Sequence, residues 1–188
     1  NAFMHKTCHI SGAQDEADNM LRFVHAPDDG FLTPDLAARL PGDDIWLANR
    51  KELVEKLAAA RDDAPSDLAA RVETRMRRHL GSLFALARKA GALVIGFTKT
   101  EAGLKAGRVK LLIAAHDGAA DGRRKLAHKA KAAGIGCFTL LSSDELGMAL
   151  GQSNVIHAGL TDVGWAKRIN RDAGRLAAYL GDTEWETE

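Results

Sequence analysis

Positively charged side chains recur through the second half of the chain in a pattern that favours polyanion binding. Lysine and arginine attract phosphate groups, and their binding to a nucleic acid releases condensed counterions. We expect these side chains to converge on one rim and contact a nucleic-acid backbone, although solvated helix faces would give a similar pattern. The basic clusters are Arg88-Lys89, Lys99, Lys105, Arg108, Lys110 and Arg123-Arg124-Lys125.

Motifs that carry common catalytic chemistry are missing from the sequence. It has no G-x-x-x-x-G-K-[ST] loop, no G-x-G-x-x-G after a strand, no G-x-S-x-G elbow and no H-E-x-x-H. The neighbouring acids Asp43-Asp44 and Asp62-Asp63 point apart on a helix or a strand, so they are not facing pairs. We therefore predict that the protein is not an enzyme. Asp117, at the end of a buried strand, is expected to cap the next turn.

One N-terminal pattern has the residue types of a metal site. His5, Cys8 and His9 form H-x-x-C-H, but no second cluster completes a tetrahedral set of ligands. We predict neither a metal nor any other cofactor. Cys8 and Cys137 are lone cysteines far apart in the chain, which favours a reducing cytoplasm over a disulfide framework.

Composition favours one or two domains with a sizeable core, since the 188 residues are 46% apolar and 27% charged. There is no run of 18 apolar residues and no secretory signal pattern, so we expect a cytoplasmic protein without a membrane partner. Charge is distributed unevenly. Residues 1–66 contain 7 Lys/Arg and 12 Asp/Glu, whereas residues 67–188 contain 19 and 13. This asymmetry predicts a polyanion-binding module joined to a different module.

The first part of the chain is predicted to be an α+β domain. Alternation and turn residues indicate strands near residues 21–25, 31–33 and 45–47, a helical turn at 34–40, and a helix over 51–60. Pro65-Ser66 marks a boundary, and a four-residue apolar repeat predicts a bridging helix over 67–80. We thus expect domains at residues 1–64 and 81–181, a bridge at 65–80 and an acidic tail at 182–188.

Strands alternate with helices in the second part, which is typical of α/β layers. The predicted strands cover residues 93–95, 111–115, 136–141 and 155–158. Predicted helices cover 98–106, 123–133 and 163–180, and a short helix begins at the capping box Ser142-x-x-Glu145. The unbroken apolar run 111–115 is typical of a strand covered on both faces.

Residues 80–180 resemble the kink-turn-binding ribosomal-protein superfamily of the L-seven-Ae type, and especially its bacterial YlxQ-like branch. The resemblance rests on LARKAG at 86–91, Leu93-Val94, Gly96, Gly107, KLLIA at 110–114, Asp117, and the Leu-Gly-x-Ala-x-Gly signature at 146–151. It implies an RNA-binding module built as a three-layer α/β/α sandwich around a mixed sheet of about four strands.

The superfamily reads tandem sheared G·A pairs with a Gly-x-Asn-Glu-x-x-Lys pattern. Gly96 matches the Gly, but Thr98, Lys99 and Ala102 replace the Asn, Glu and Lys. Because Lys donates where Glu accepts, we predict no standard kink-turn specificity. A helix N-terminus with Lys99 still favours a phosphate. The predicted RNA-binding residues are Gly96, Thr98, Lys99, Arg108, Arg123, Arg124 and Lys125, with a second set of Lys6, Arg22, Arg88 and Lys89.

Residues 5–62 resemble the YlxR family of small bacterial proteins, through Cys8, LRFV at 21–24, PDL at 34–36, LPG at 40–42 and Trp46. That family places a Gly-Arg-Gly motif in a cleft proposed to bind RNA. Here Asp43-Asp44 replaces the Arg-Gly, and a carboxylate at this place is expected to repel phosphate.

The sequence thus predicts a two-domain bacterial protein that binds structured RNA, ribosomal or translation-associated, without catalysis. Two alternatives stay open. The acidic first domain would dock a basic partner in an interaction scaffold, or the chain would be the substrate-recognition part of an RNA-modifying enzyme. The sequence of these 188 residues contains no methyl-donor-binding domain, which argues against the second alternative.

Overall fold

A computed structural model of the protein describes residues 4–182. The chain divides into two compact units, one comprising residues up to Arg75 with Ala178–Gly181, the other containing Met76–Ala177. The protein is mixed α/β, and the division between the two units falls inside a helix, between Arg75 and Met76. The domain bounds expected near residues 64 and 80 stay a prediction.

The N-terminal unit contains two antiparallel sheets and a helix. Strands β1 (His5–Thr7) and β2 (Gln14–Glu16) pair in a small sheet that the sequence did not predict, because both strands are short and polar. The other sheet has the order β4-β3-β5, with bounds Met20–His25 for β3, Leu32–Pro34 for β4 and Asp44–Ala48 for β5. Helix α1 (Lys51–Ala60) follows as predicted. Residues 35–40 form turns instead of the expected helical turn.

Helix α2 (Leu68–Lys89) is continuous through Gly81, whereas the sequence predicted that the bridging helix ends at residue 80. Glycine weakens a helix interior. A Cβ at Gly81 would lie at an ordinary contact distance of 3.4 Å from the Cβ of Ala149 in α5 (Ser143–Leu150), so close approach of α5 does not require the glycine. Buried Leu80, Leu83 and Phe84 on either side of Gly81 therefore override its local preference.

The C-terminal unit is built on a mixed sheet with the order β6-β9-β7-β8, which confirms the predicted four strands. Their bounds are Leu93–Ile95 for β6, Leu111–Ala114 for β7, Cys137–Phe138 for β8 and His157–Leu160 for β9. The helices besides α2 and α5 are α3 (Phe97–Lys105), α4 (Ala120–Ala132) and α6 (Val163–Leu180).

Two strands differ from the prediction for identifiable reasons. β9 begins two residues later than expected and includes Gly159, because α3 and the loop after it cover this position. A Cβ on Gly159 would lie 2.8 Å from Cγ2 of Val109 and 3.5 Å from Cγ2 of Thr100. β8 ends at Phe138, and beyond it the carbonyl of Leu140 accepts a hydrogen bond from Arg77.

Apolar side chains fill both faces of this sheet. On one face, Leu104 of α3 and Leu126 of α4 form a cluster with Leu112 of β7. Because successive strand residues point to opposite faces, Ile113 faces away from that cluster. On β8, Phe138 meets Phe84 of α2 edge to face, with ring centroids 5.1 Å apart. The helices thereby hold the ends of the strands, where the predicted RNA-binding residues lie.

Candidate nucleic-acid interface

The sheet of the C-terminal unit separates the predicted RNA-binding residues into two groups. β9 is antiparallel to both β6 and β7, and β8 is parallel to β7, so β6, β7 and β8 run in the same direction. We call the edge where these three strands end the C-terminal edge; it comprises Gly96–Lys99, His116–Asp117, the start of α4 and His157. The edge where they begin is the N-terminal edge, comprising 88–92, 107–110, 131–136 and 161–162.

The predicted basic residues therefore lie at two opposite edges of the sheet, and their role in RNA binding stays a prediction. Lys99, Arg123, Arg124 and Lys125 lie toward the C-terminal edge, in the first half of their helices. Arg88, Lys89, Arg108 and Lys110 lie at the N-terminal edge, because they precede β6 and β7 directly. The sequence pattern could not resolve this, since both groups flank the same strands and only strand direction distinguishes them.

Gly96 shapes the first loop of the C-terminal edge. Its φ of 100° is strained for residues with a side chain, and it is the N-cap of α3. Its amide donates to the carbonyl of His157 over 2.8 Å, and its carbonyl accepts from the Thr100 amide over 3.0 Å. Gly96 has no side chain to cap α3, so within residues 4–182 the N-cap leaves the first amides of this helix available for an anion. Thr98 and Lys99 are exposed on this first turn.

Helix α4 begins beside α3 because Gly122 has no side chain. A Cβ at Gly122 would lie 3.1 Å from Nε2 of His157 and 3.7 Å from Cδ2 of Phe97. Phe97 and His157 pack edge to face, with ring centroids 5.6 Å apart. The first turns of two helices are thus brought together at the C-terminal edge. The sequence indicated the loop but neither this packing nor the start of α4 at Ala120.

The basic side chains of α4 have different surroundings. Arg123 is half-buried, and its Nη1 donates to the carbonyl of His116 over 2.8 Å. Within residues 4–182, its buried Nε has no hydrogen-bond partner. Arg124 is exposed and makes no ion pair in that range, whereas Lys125 pairs with Asp121 at 3.0 Å. Arg124 is therefore the most available cation of the predicted triplet.

Buried His157 is the residue of this edge that sequence reasoning missed. It is only 8% exposed, and its Nδ1 has no hydrogen-bond partner among the described residues. Burial lowers the pKa of His157, and the positive charge of Arg123 lowers it further, which favours a neutral ring. On β8, burial raises the pKa of Cys137 to about 11, so its thiol is neutral at pH 7.

Asp117 fastens the end of β7 to the start of α5. Its carboxylate accepts from the Ser143 amide over 2.7 Å and from the Ser143 hydroxyl over 2.9 Å, and these hydrogen bonds lower the pKa of Asp117. The expectation that it caps its own following turn is corrected, since it caps a helix distant in sequence. The predicted capping box of Ser142 and Glu145 is confirmed.

In the N-terminal unit, Arg22 is bound within the protein. Its guanidinium pairs with Asp35 and with Asp44, the latter at 2.9 Å, and donates to the carbonyl of Leu40 over 2.7 Å. The hydrogen bond from Arg22 lowers the pKa of Asp44. Arg22 is shared by two carboxylates, so the group of Arg22, Asp35 and Asp44 keeps a net negative charge. The ammonium of Lys6 lies 5.0 Å from the ring centroid of Trp46.

Cys8 lies in a polar turn of the N-terminal unit. Burial raises the pKa of its thiol, but hydrogen bonds from Ser11 and from backbone amides outweigh this effect, and the net shift is downward. Over residues 4–182, no three His, Cys, Asp or Glu side chains are placed to hold a metal ion. In the same range, no helix has the length and apolar character needed to cross a membrane.

Comparisons with known proteins match about half of the chain. No family model matches the chain. The chain is 28% identical over 92 residues to the RNA-binding protein YlxQ of Enterococcus faecium, a match that covers 49% of this chain and 88% of that protein. About half of the chain is therefore YlxQ-like in sequence. The YlxR resemblance of residues 5–62 stays a prediction.

Two solved structures are similar to the protein. One is a protein of unknown function from Bacillus halodurans, with a TM-score of 0.49, 24% identity, and coverage of 50% of this chain and 96% of that chain. The other is a 15.5kD RNA binding protein from Giardia lamblia, with a TM-score of 0.46, 19% identity, and coverage of 55% and 89%.

Proposed function

We propose that the protein binds structured RNA without catalysing a reaction, and that the C-terminal edge of its second unit contacts the RNA backbone. The observation that carries this proposal is the packing of Phe97, His157 and Gly122, which holds the first turns of α3 and α4 side by side. The similarity to an RNA-binding YlxQ protein supports it.

The chemistry of this edge favours phosphate over base recognition. Uncapped amides at the start of α3, together with Lys99 and Arg124, are donors and positive charges without matching acceptors. Only 5% of the residues are aromatic, so stacking of splayed bases has few platforms. Shape and backbone contacts therefore dominate the proposed recognition. We propose that the bound RNA is ribosomal or translation-associated and that the protein acts in the cytoplasm.

The proposal is tested with the double variant Lys99→Glu and Arg124→Glu and in vitro transcribed large-subunit ribosomal RNA. Each lost phosphate contact lowers the slope of log K against log salt by about one, so we expect a decrease of about two. A matched control, Arg39→Glu with Lys56→Glu, makes the same change in net charge with exposed residues of the N-terminal unit. Equal slopes for the two variants would contradict the proposed site.

A second candidate function is docking of a basic protein by the acidic N-terminal unit, whose residues 1–66 carry 12 acids against 7 basic residues. Much of this charge is already engaged, because Arg22 binds Asp35 and Asp44, and Arg61 binds Asp63 at 2.7 Å. A partner that stays bound to the full chain after RNase treatment, and is lost on reversing the exposed Asp28 and Asp29, would favour docking over RNA binding.

A further inference from the structure

We propose that the N-terminal edge of the same sheet is a second, separate contact for the sugar-phosphate backbone of the bound RNA. This inference rests on the proposed RNA-binding function. It adds a second segment of the RNA, which binds at the N-terminal edge and which the C-terminal edge cannot reach. The residues that carry it are Arg88, Lys89 and Arg108, with Lys110 beside them.

Backbone hydrogen bonds place the segments that carry these four residues on either side of β9, and we call the four residues the basic row. The Thr161 amide donates to the Ala92 carbonyl over 2.9 Å, and the Lys110 amide donates to the Leu160 carbonyl over 2.6 Å. β9 therefore lies between the chain segments that carry Lys89 and Lys110. Neighbouring strands are about 4.8 Å apart, so these segments enter the sheet roughly 10 Å from each other. Gly91, in the left-handed conformation, turns the chain after Lys89. Gly107, in the same conformation, turns it before Arg108.

The charge of this row is uncompensated. Arg88, Lys89 and Arg108 are exposed, and none forms an ion pair within residues 4–182. Lys105 and Lys129 differ, because Glu101 pairs with them at 3.5 and 3.3 Å. Lys110 donates to the carbonyl of Gly107 over 2.8 Å.

One acid lies at this edge, and it already has a hydrogen-bond partner. Oδ1 of Asp162 accepts from the Trp165 amide over 2.9 Å at the start of α6. It lowers the local positive potential, but the row of Arg88, Lys89, Arg108 and Lys110 contributes four basic side chains to the same edge. The net potential of the edge therefore remains positive, which favours a polyanion.

RNA fits this edge better than an acidic protein does. Protein interfaces depend on buried aromatic or apolar anchors, and the large apolar side chains exposed nearest in sequence to this row are Leu86 on α2 and Val163 at the start of α6, one on each helix. A row of cations without an apolar pocket is instead suited to repeated phosphates, which are held by charge and counterion release. We therefore assign RNA, and not an acidic peptide, as the occupant.

The two edges face in opposite directions across strands of at most four residues, which span about 13 Å. Because the edges face in opposite directions, a short straight hairpin that lies against one edge is directed away from the other, whereas a large folded RNA presents separate segments to both. RNA length thus becomes the variable that reveals the second contact.

The test compares full-length wild type, the variant Lys89→Glu with Arg108→Glu, the variant Lys99→Glu with Arg124→Glu, and the control Arg39→Glu with Lys56→Glu. The probes are in vitro transcribed large-subunit ribosomal RNA, a hairpin of about 12 base pairs, and polyglutamate. We expect the Lys89/Arg108 variant to lose about tenfold or more affinity for ribosomal RNA at 0.1 M salt, with a slope lower by about two. Its affinity for the hairpin should change less than about twofold, as in the control.

Other outcomes separate the two proposals. If the Lys99/Arg124 variant weakens both RNAs while the Lys89/Arg108 variant equals the control, the second contact is wrong and the proposed function stands. If wild type binds neither RNA, the proposed function fails, and the second contact fails with it. Tight binding of polyglutamate that depends on Lys89 and Arg108 would overturn the assignment of RNA to this edge.

Discussion

The two edges of the C-terminal sheet combine shape and charge in opposite ways. The C-terminal edge is organised by packing, with Gly96 and Gly122 bringing two helix starts together around His157. Its charge is mixed, because Asp117 and Asp121 lie among the basic residues. The N-terminal edge has the more continuous positive charge but no comparable arrangement of helix starts. Positive charge alone therefore does not identify the edge that positions an RNA.

The largest effect is expected from Gly159→Ala, which changes the support that both edges share. The new Cβ would lie 2.8 Å from Cγ2 and 3.1 Å from Cγ1 of Val109, in a buried site next to Thr100. Overpacking of this kind lowers the free energy of unfolding by about 1–3 kcal/mol. Chemical denaturation monitored by circular dichroism measures this change.

Gly136→Ala is the matched control, since its Cβ would lie at an ordinary 3.5 Å from Leu111. A Gly159→Ala variant as stable as Gly136→Ala would show that α3 and the loop carrying Val109 can move away from the sheet. The inference that tight packing at Gly159 supports both edges would then be wrong.

A smaller effect, confined to the C-terminal edge, is expected from pH. Because the folded-state pKa of His157 is depressed, protonation favours the unfolded chain. The stability contributed by neutral His157 is complete above its unfolded-state pKa of about 6.5 and is lost as pH falls toward the folded-state pKa. Protonation would also place a second positive charge beside Arg123.

Amide exchange measured by NMR at pH 7 and near pH 5.5 distinguishes the two edges. The protection factor of the Gly96 amide, which donates to His157, should fall at the lower pH, and that of the Lys110 amide should change less. His157→Phe should abolish the difference, whereas His128→Gln, at an exposed position of α4, should retain it. Equal loss of protection at both amides would argue against a local effect of His157.

The sequence was informative where local pattern and packing agree. The bounds of α1 and α6, the capping box at Ser142 and the four-stranded sheet follow from periodicity and capping residues. Predictions failed where a distant contact overrides a local signal. Gly122 lies inside a helix where His157 occupies the space that a side chain would need, and buried Leu80, Leu83 and Phe84 on either side of Gly81 keep α2 continuous.

The candidate site was likewise predictable only in part, because distant contacts determine how its residues are grouped. The basic residues and the Gly96 loop are visible in the sequence, but their grouping depends on the direction of three strands and the antiparallel insertion of β9. The ion pairs of Arg22 with Asp35 and Asp44 join residues 13 and 22 positions apart, and no periodicity reveals them. Charge composition could thus predict a polyanion partner but not where it is held.

The smallest effect is expected from Asp121→Asn, which makes the charge of the C-terminal edge more like that of the N-terminal edge. Asp121 is exposed in the first turn of α4, and its carboxylate pairs with Lys125 at 3.0 Å. Removing this charge frees Lys125 for a phosphate and removes repulsion, although a favourable charge at the helix start is also lost. We expect affinity for the hairpin to rise about two- to tenfold, and its salt slope to increase by about one.

Asp62→Asn, at an exposed position of the N-terminal unit, controls for the change in net charge. If the hairpin binds at the C-terminal edge, only Asp121→Asn increases the slope. If both variants raise affinity equally, long-range net charge and not local pairing limits binding there. An added positive charge would then have the same effect on RNA affinity wherever it is placed. The difference between the C-terminal edge and the N-terminal edge would have no consequence for RNA affinity.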